Sequence, residues 1–179
     1  MDRIIQRVPY GYTEDKDASP RKGTLVYYDT FQDVSEEQLN RVAELAKARS
    51  FAKLVLYPLH EETAKRMWKR PIEPYYKREE RLFEWRREHG DDGTITIENW
   101  EGKRKKYTPM EAAIRHLIEV YAQPMFLYVS PATANAFASF HSFEEWISKL
   151  RLILTEPPPD AHPNLTKFRH RWDVRETAE

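Results

Sequence analysis

Apolar residues along the chain fall either in continuous runs or at helical spacing. The run "TLVYYDTF" at residues 24–31 is β-branched and aromatic, which predicts a buried strand. Residues 35–51 carry apolar side chains three and four positions apart behind Ser35, which is placed to cap a helix. A second apolar run, "AKLVLYPLH", occupies residues 52–60. Strand, helix and strand in this order predict a right-handed crossover between parallel strands.

The later part of the chain continues the alternation. Residues 61–89 are charged with helical potential, are interrupted near Pro71 and Pro74, and stop at Gly90. A helix is predicted at 108–121, with Thr108 as its N-cap, Pro109 in its first position and Glu111 closing a capping box. The other predicted elements are strands at 94–100, 124–131 and 151–160 and a helix that Ser142 opens at 142–150.

Alternating strands and helices predict the fold class. We expect an α/β protein, a Rossmann-like three-layer sandwich with a mostly parallel sheet. Residues 1–22 are polar and interrupted by Pro and Gly, so we expect a loose N-terminal leader there. Residues 23–179 are then one domain, long enough to bury a normal core.

Charge and composition narrow the possible partners. Lys plus Arg number 29 and so do Asp plus Glu, so no net charge attracts nucleic acid, a membrane or an acidic substrate. The absence of cysteine excludes disulfides and thiolate metal sites. The N-terminus lacks the apolar core of a signal peptide, and no apolar run is long enough to span a membrane. We therefore expect a cytoplasmic protein with no membrane or nucleic-acid partner.

Generic motifs add little chemistry. The six histidines lack metal-ligand spacing, and we expect His116 to be a surface or packed residue rather than a ligand. The basic run at 103–106 is expected to form a solvated hairpin, and the mixed charges at 77–90 a salt-bridged outer helix face. A GxSxG nucleophile elbow is absent. The residues themselves indicate a globular α/β domain and no more.

Several short strings share their order and spacing with a known family. Tyr107 and Thr108 form a Y-T pair before a predicted helix, and Thr30 with Phe31 forms a T-F pair after the first strand. These strings resemble the bacterial nicotinate-nucleotide adenylyltransferases, members of the HxGH nucleotidyltransferase superfamily. Further positions that fall on family motifs are Lys65, Arg81, Phe140, Phe143, Pro157, Thr166, Phe168 and Arg169. The resemblance covers roughly residues 22 to 158, and it implies a nucleotide site beyond the first strand.

Departures from the family pattern fall on its chemistry. The two family histidines, which steady the triphosphate during transfer, correspond to Ser35 and Gln38. Family glycines that let backbone approach the ligand correspond to Tyr28, Asp29 and Glu37. The acidic residues of this segment would repel a triphosphate: Asp29, Asp33, Glu36 and Glu37. Ser130-Pro131-Ala132 replaces the family's G-x-D string, and Glu156 replaces the arginine of R-P-G.

Three hypotheses follow from the resemblance. The first is a degenerate nucleotidyltransferase-fold protein without adenylyl transfer, which binds a nucleotide or another small molecule and has no catalytic or metal-binding residue. Its candidate ligand-binding residues are Thr30, Phe31, Lys65, Arg81, Tyr107, Thr108, Phe140, Thr166 and Arg169. The second is an active nucleotidyltransferase with Lys65 and Arg169 as electrophiles, which would need Mg²⁺ with ATP. The third is a protein-interaction module whose pocket is filled, with Tyr28 as the plug.

Overall fold

A computed structural model describes residues 22–175, so the leader expected over residues 1–22 lies, apart from Lys22, outside the described residues. The strands are β1 (Thr24–Asp29), β2 (Lys53–Pro58), β3 (Ile95–Ile97), β4 (Met125–Val129), β5 (Arg151–Leu154) and β6 (Trp172–Val174). The helices are α1 (Glu36–Ala48), α2 (Glu61–Met67), α3 (Tyr75–His89), α4 (Trp100–Arg104), α5 (Met110–Val120), α6 (Pro131–Ala138), α7 (Phe143–Ile147) and α8 (Pro163–Lys167).

The six strands form one sheet in the order β3-β2-β1-β4-β5-β6, and every neighbouring pair is parallel. The predicted α/β Rossmann-like class is therefore confirmed. β2 and then β3 lie on one side of β1, and β4, β5 and β6 follow in order on its other side. Because the connections after β1 and β4 run to opposite faces, a crevice is left between their carboxyl ends, where open α/β sheets bind ligands.

The sheet separates two apolar layers, and β1 contributes to both. Leu25 and Tyr27 belong to the layer with α1 and α3, whereas Val26 and Tyr28 belong to the layer with α5, α6 and α7. This follows from the strand geometry, in which successive side chains point to opposite faces. All four are at most 2% exposed. The continuous apolar run in the sequence is thus explained by burial of β1 on both faces.

Two predictions about helix starts differ in outcome. Ser35 caps α1 as predicted. The capping box predicted for α5 is wrong, because the helix begins at Met110 without a side-chain cap. The Thr108 hydroxyl instead accepts from Nε of Arg104 at 2.9 Å, and the Glu111 carboxylate accepts from the Ser142 hydroxyl. These side chains are used to join neighbouring elements rather than to cap their own helix.

Two predictions about charged segments are also corrected. The basic run at 103–106 is no hairpin: it contains the end of α4, which Lys105 terminates in the left-handed region at φ 57°. The outer face predicted at 77–90 is only partly solvated. Arg78, Leu82 and Trp85 recur at helical spacing and are buried. Within residues 22–175, no helix combines the length and the apolar character needed to cross a membrane.

A buried carboxyl group lies beyond the end of β2. Glu101 is fully buried; its Oε2 accepts from the Tyr57 hydroxyl at 2.7 Å and its Oε1 from the His60 N–H at 2.8 Å. Burial raises the pKa of Glu101 above its ordinary value, although these hydrogen bonds act in the opposite direction. The folded protein therefore holds this proton more tightly than the unfolded chain does.

We expect Glu101→Gln to reduce the loss of stability that accompanies a rise in pH. With a raised folded pKa, stability is fully present below the unfolded pKa and is lost as pH rises through the folded value. The glutamine amide has no charge to bury. The difference in free energy of unfolding between the variant and the native protein should therefore favour the variant more at pH 7.5 than at pH 4. Urea unfolding of both proteins at the two pH values measures this difference in stability. Glu62→Gln, at an exposed ion pair with Lys65, is the control and should leave the pH dependence unchanged.

Candidate functional site

A cleft of about 440 Å³ opens beyond the carboxyl ends of β1 and β4, within the size range of small-molecule sites. Its position is the one predicted from the strand order. The apolar lining residues are Tyr27, Val34, Trp68, Ile72, Tyr128 and Ala132. The polar and charged ones are Asp29, Thr30, Asp33, Gln38, Arg41, Arg70, Ser130, Thr133, Thr155, Glu156 and Arg175.

The turn after β1 forms one side of the cleft. The Asp29 carboxylate accepts, through Oδ1, the N–H of Phe31 at 2.8 Å and the Thr30 hydroxyl at 3.4 Å. Phe31 lies at φ 64°, a region that non-glycine residues seldom occupy. Its ring packs edge-on against Tyr27, with 4.8 Å between the ring centroids. The Asp29 carboxylate and this aromatic contact together hold the turn.

Ser35 and Gln38, which the adenylyltransferase resemblance matches to two histidines, bind each other. The Ser35 hydroxyl accepts the N–H of Gln38 at 3.1 Å, and Oε1 of Gln38 accepts the N–H of Ser35 at 2.8 Å. This is a capping box, which satisfies two N–H groups at the start of α1. Both polar side chains thus serve the helix end.

The segment between α2 and α3 contributes Trp68, Arg70 and Ile72 to the lining of the cleft. It is tied to the turn after β1 by two side chains. Arg70 forms an ion pair with Asp33, and the Gln32 amide donates to the carbonyl of Pro71 at 3.1 Å. Oε1 of Gln32 also accepts the N–H of Glu73 at 2.6 Å. The segment between α2 and α3 and the turn after β1 are therefore joined into one wall of the cleft.

Arg78 stabilises this wall by hydrogen bonds. It was not among the predicted site residues. Its fully buried guanidinium donates to the carbonyls of Thr30 at 2.8 Å, Leu59 at 2.6 Å and Glu73 at 2.9 Å, and to the Glu61 carboxylate at 3.1 Å. Burial lowers the pKa of Arg78, and Glu61 counteracts this shift. Arg78 thereby joins the loops that follow β1 and β2 to the start of α3.

The cleft contains charges of both signs. Asp33 is paired with Arg70, and Arg41 is paired at 3.2 Å with Glu37 outside the cleft. Burial raises the pKa of Asp29; the hydrogen bonds from the turn oppose this shift, and the nearby Asp33 adds to it. Charged side chains on the remaining sides are Glu156 and Arg175. A ligand with one anionic group fits this distribution better than a polyphosphate does.

Of the nine ligand-binding candidates, Thr30 lines the cleft and Phe31 lies in the core beside it, 2% exposed. Lys65 is exposed and paired with Glu62 at 3.1 Å, and Arg81 is exposed and paired with Glu73 at 2.6 Å. Tyr107 lies under the Arg66 guanidinium, 4.4 Å from ring to Cζ, and Thr108 is fully buried. None of these last four residues lines the cleft.

The remaining candidates also lie away from the cleft. Phe140 is half-buried and meets Phe137 edge-on, with 6.5 Å between centroids. Thr166 is exposed in α8. The Arg169 guanidinium covers the Trp172 ring at 4.1 Å and donates to the Trp172 carbonyl at 2.6 Å. Arg169 therefore packs against Trp172 of β6 rather than at the cleft.

Tyr28, the expected plug, points away from the cleft. It is fully buried on the opposite face of the sheet and stacks on Tyr57, with 5.3 Å between the ring centroids. Tyr27 and Tyr128 instead lie at the base of the cleft, edge-on to each other at 4.8 Å. Among residues 22–175, the cleft is therefore open rather than filled by Tyr28.

His116 is a packed residue, as predicted: its ring lies parallel to Trp100, with 4.1 Å between centroids. Among residues 22–175, no three His, Asp or Glu side chains are grouped in a way that could hold a metal ion. Comparison with models of known protein families finds no match to this chain, and comparison with curated proteins finds none either. The adenylyltransferase resemblance stays a prediction.

Proposed function

We propose that this chain is a nucleotide-binding protein of nucleotidyltransferase-like fold that does not transfer adenylyl groups. The observation that carries the proposal is an open cleft at the switch point of the sheet, beside a Ser35–Gln38 pair whose side chains bind each other. The cleft lies where open α/β sheets bind ligands. The two side chains that would act on a leaving pyrophosphate are engaged elsewhere.

The lining of the cleft supports a nucleotide as the ligand. Trp68 and Ile72 offer a half-exposed apolar wall on which a planar base can stack. Arg41 lies at the same cleft and can meet a phosphate, since its partner Glu37 is exposed and such surface pairs are weak. Acidic side chains at the cleft disfavour a triphosphate, so we expect a monophosphate to bind more tightly than ATP.

Loss of adenylyl transfer follows from the chemistry of the reaction. The transfer depends on positioning and on donors that strengthen as charge develops on the bridging oxygen. Removal of one such donor costs about 3 kcal/mol in the transition state. Two missing imidazoles therefore cost on the order of 6 kcal/mol, which lowers the rate by roughly 10⁴-fold unless neighbouring groups compensate. The carboxylates of Asp29 and Asp33 offer no such compensation.

The alternative hypotheses have less support. An active transferase with Lys65 and Arg169 as electrophiles would need both at the ligand, yet neither side chain lines the cleft. An interaction module with a filled pocket would need a side chain in the cleft, whereas Tyr28 packs on the opposite face. The open cleft therefore favours binding of a small molecule.

Isothermal titration and a pyrophosphate-release assay test the proposal together. We expect heat from adenosine 5′-monophosphate, less from ATP with Mg²⁺, and no pyrophosphate from ATP with nicotinate mononucleotide. Pyrophosphate release above the uncatalysed rate would contradict the absence of transfer. Titrations without heat from any of these nucleotides or from NAD would contradict nucleotide binding and favour the interaction module.

Trp68→Ala should weaken binding of adenosine 5′-monophosphate by about tenfold or more, because stacking on an aromatic side chain contributes roughly 1–3 kcal/mol per base. Trp68 is half-buried: it lines the cleft and also packs against the edge of the core, so its removal takes away part of the cleft wall. Phe83→Ala is the matched control, since this aromatic residue is 37% exposed on α3 and does not line the cleft. Titration of both variants measures the difference, and equal affinities would contradict stacking at Trp68.

A further inference from the structure

Asp29 occupies an unusual position for a carboxyl group in a nucleotide cleft. It is the last residue of β1, directly at the switch point, and half-buried. Its side chain shares a face of the sheet with Tyr27, because alternate residues of a strand point the same way. Tyr27, Trp68 and Ile72 line the same cleft as this carboxyl group.

The two oxygens of Asp29 have different surroundings. Oδ1 accepts the Phe31 N–H and the Thr30 hydroxyl, and the Thr30 N–H also stabilises this carboxylate. These bonds leave acceptor capacity at Oδ2. Burial also raises the pKa of this carboxyl group, so a ligand that donates a hydrogen bond would relieve the cost of its desolvation. A phosphate at the same place would be repelled.

We propose that Asp29 reads the base of the bound nucleotide: Oδ2 accepts an exocyclic amino group, so the cleft prefers adenine and cytosine to hypoxanthine and uracil. This inference rests on the proposed nucleotide binding. An aspartate that accepts from a base amino group is a known form of recognition, as with N4 of cytosine. The keto bases present an oxygen at the corresponding position, which would face a carboxylate oxygen without a hydrogen atom between them.

Asp29→Asn separates recognition from folding. An asparagine keeps a carbonyl oxygen for the Phe31 and Thr30 donors and tolerates the same turn. Its amide nitrogen is a donor where Oδ2 was an acceptor. The variant should therefore fold, and its preference should reverse from amino to keto bases.

Titration with matched nucleotides tests the inference: adenosine against inosine 5′-monophosphate, and cytidine against uridine 5′-monophosphate. We expect the native protein to bind the amino member about tenfold more tightly and Asp29→Asn to bind the keto member more tightly. Asp92→Asn is the matched control, because Asp92 makes the same kind of turn, to the N–H and hydroxyl of Thr94, outside the cleft. It should retain the native preference.

The outcomes distinguish the two proposals. If nucleotides bind but both members of each pair bind equally to the native protein, base reading by Asp29 is overturned and nucleotide binding stands. If Asp29→Asn weakens all four nucleotides equally, the residue only shapes the turn, and the inference is overturned as well. If no nucleotide binds, the proposed function fails and this inference fails with it.

Discussion

Replacement of Arg78 by methionine is expected to destabilise the protein by about 4 kcal/mol, a large part of the stability of an ordinary domain. Methionine fills much of the same space but donates no hydrogen bond. The carbonyls of Thr30, Leu59 and Glu73 would lose their guanidinium donor in a buried environment. Each unsatisfied buried carbonyl costs roughly 1–3 kcal/mol, and the Glu61 carboxylate loses its partner as well.

Urea unfolding followed by circular dichroism measures this loss. Arg81→Met is the matched control, since Arg81 lies on the same helix but pairs with Glu73 at the surface, and its replacement should have only a small effect. Arg78→Lys should fall between the two, because one ammonium group cannot reach four acceptors in a planar arrangement. Equal stability of Arg78→Met and Arg81→Met would contradict the role assigned to the buried guanidinium.

Replacement of Gly23 by alanine has the second largest expected effect, about 3 kcal/mol of destabilisation. Gly23 lies at φ 78° directly before β1. A Cβ atom there would come within 2.3 Å of the carbonyl oxygen of Pro124, which is backbone and cannot rotate away. The same carbonyl accepts the N–H of Thr24 at 3.0 Å, so a shift would disturb the start of the pairing between β1 and β4.

Gly93→Ala separates the two causes of this destabilisation, which are backbone strain at positive φ and the close approach of Cβ to Pro124. Gly93 also has a positive φ, 86°, but a Cβ atom there would meet nothing within 4 Å. Its replacement should cost only the backbone strain, about 1 kcal/mol. The difference between the two variants in thermal or urea unfolding then measures the close approach to Pro124. If Gly23→Ala is no less stable than Gly93→Ala, the close approach has no energetic consequence.

The regular elements were predictable where a long pattern specified them. β1, β2 and β4 are continuous apolar runs buried on both faces, and α1 has apolar spacing behind a capping residue. β6 was missed: it is three residues long and lies at the edge of the sheet, and the alternation of Trp172, Asp173 and Val174 is too short to predict a strand. Short edge strands are stabilised by pairing with a neighbour, here β5, and this pairing leaves little trace in local sequence.

The location of the cleft was predictable, but most of the residues that line it were not. The turn at Thr30 was expected at the cleft because it follows a strand of a parallel sheet, and it lies there. Lys65, Arg81 and Arg169 were chosen by their place along the chain, which says nothing about the direction of a side chain. Arg78 could have been found, since it shares helical spacing with Leu82 and Trp85 and so faces the core.

The sequence by itself determined the class of fold, since apolar runs and helical spacing specify which segments bury which faces, and burial is the dominant favourable term in folding. It also determined the local cap of α1, because Ser35 and Gln38 are three residues apart. Only the tertiary structure decided that Tyr28 packs on the face of the sheet opposite the cleft, that Arg78 joins the loops after β1 and β2 to the start of α3, and that Asp29 borders the cleft. These features depend on contacts between residues distant in the chain, which no local pattern encodes.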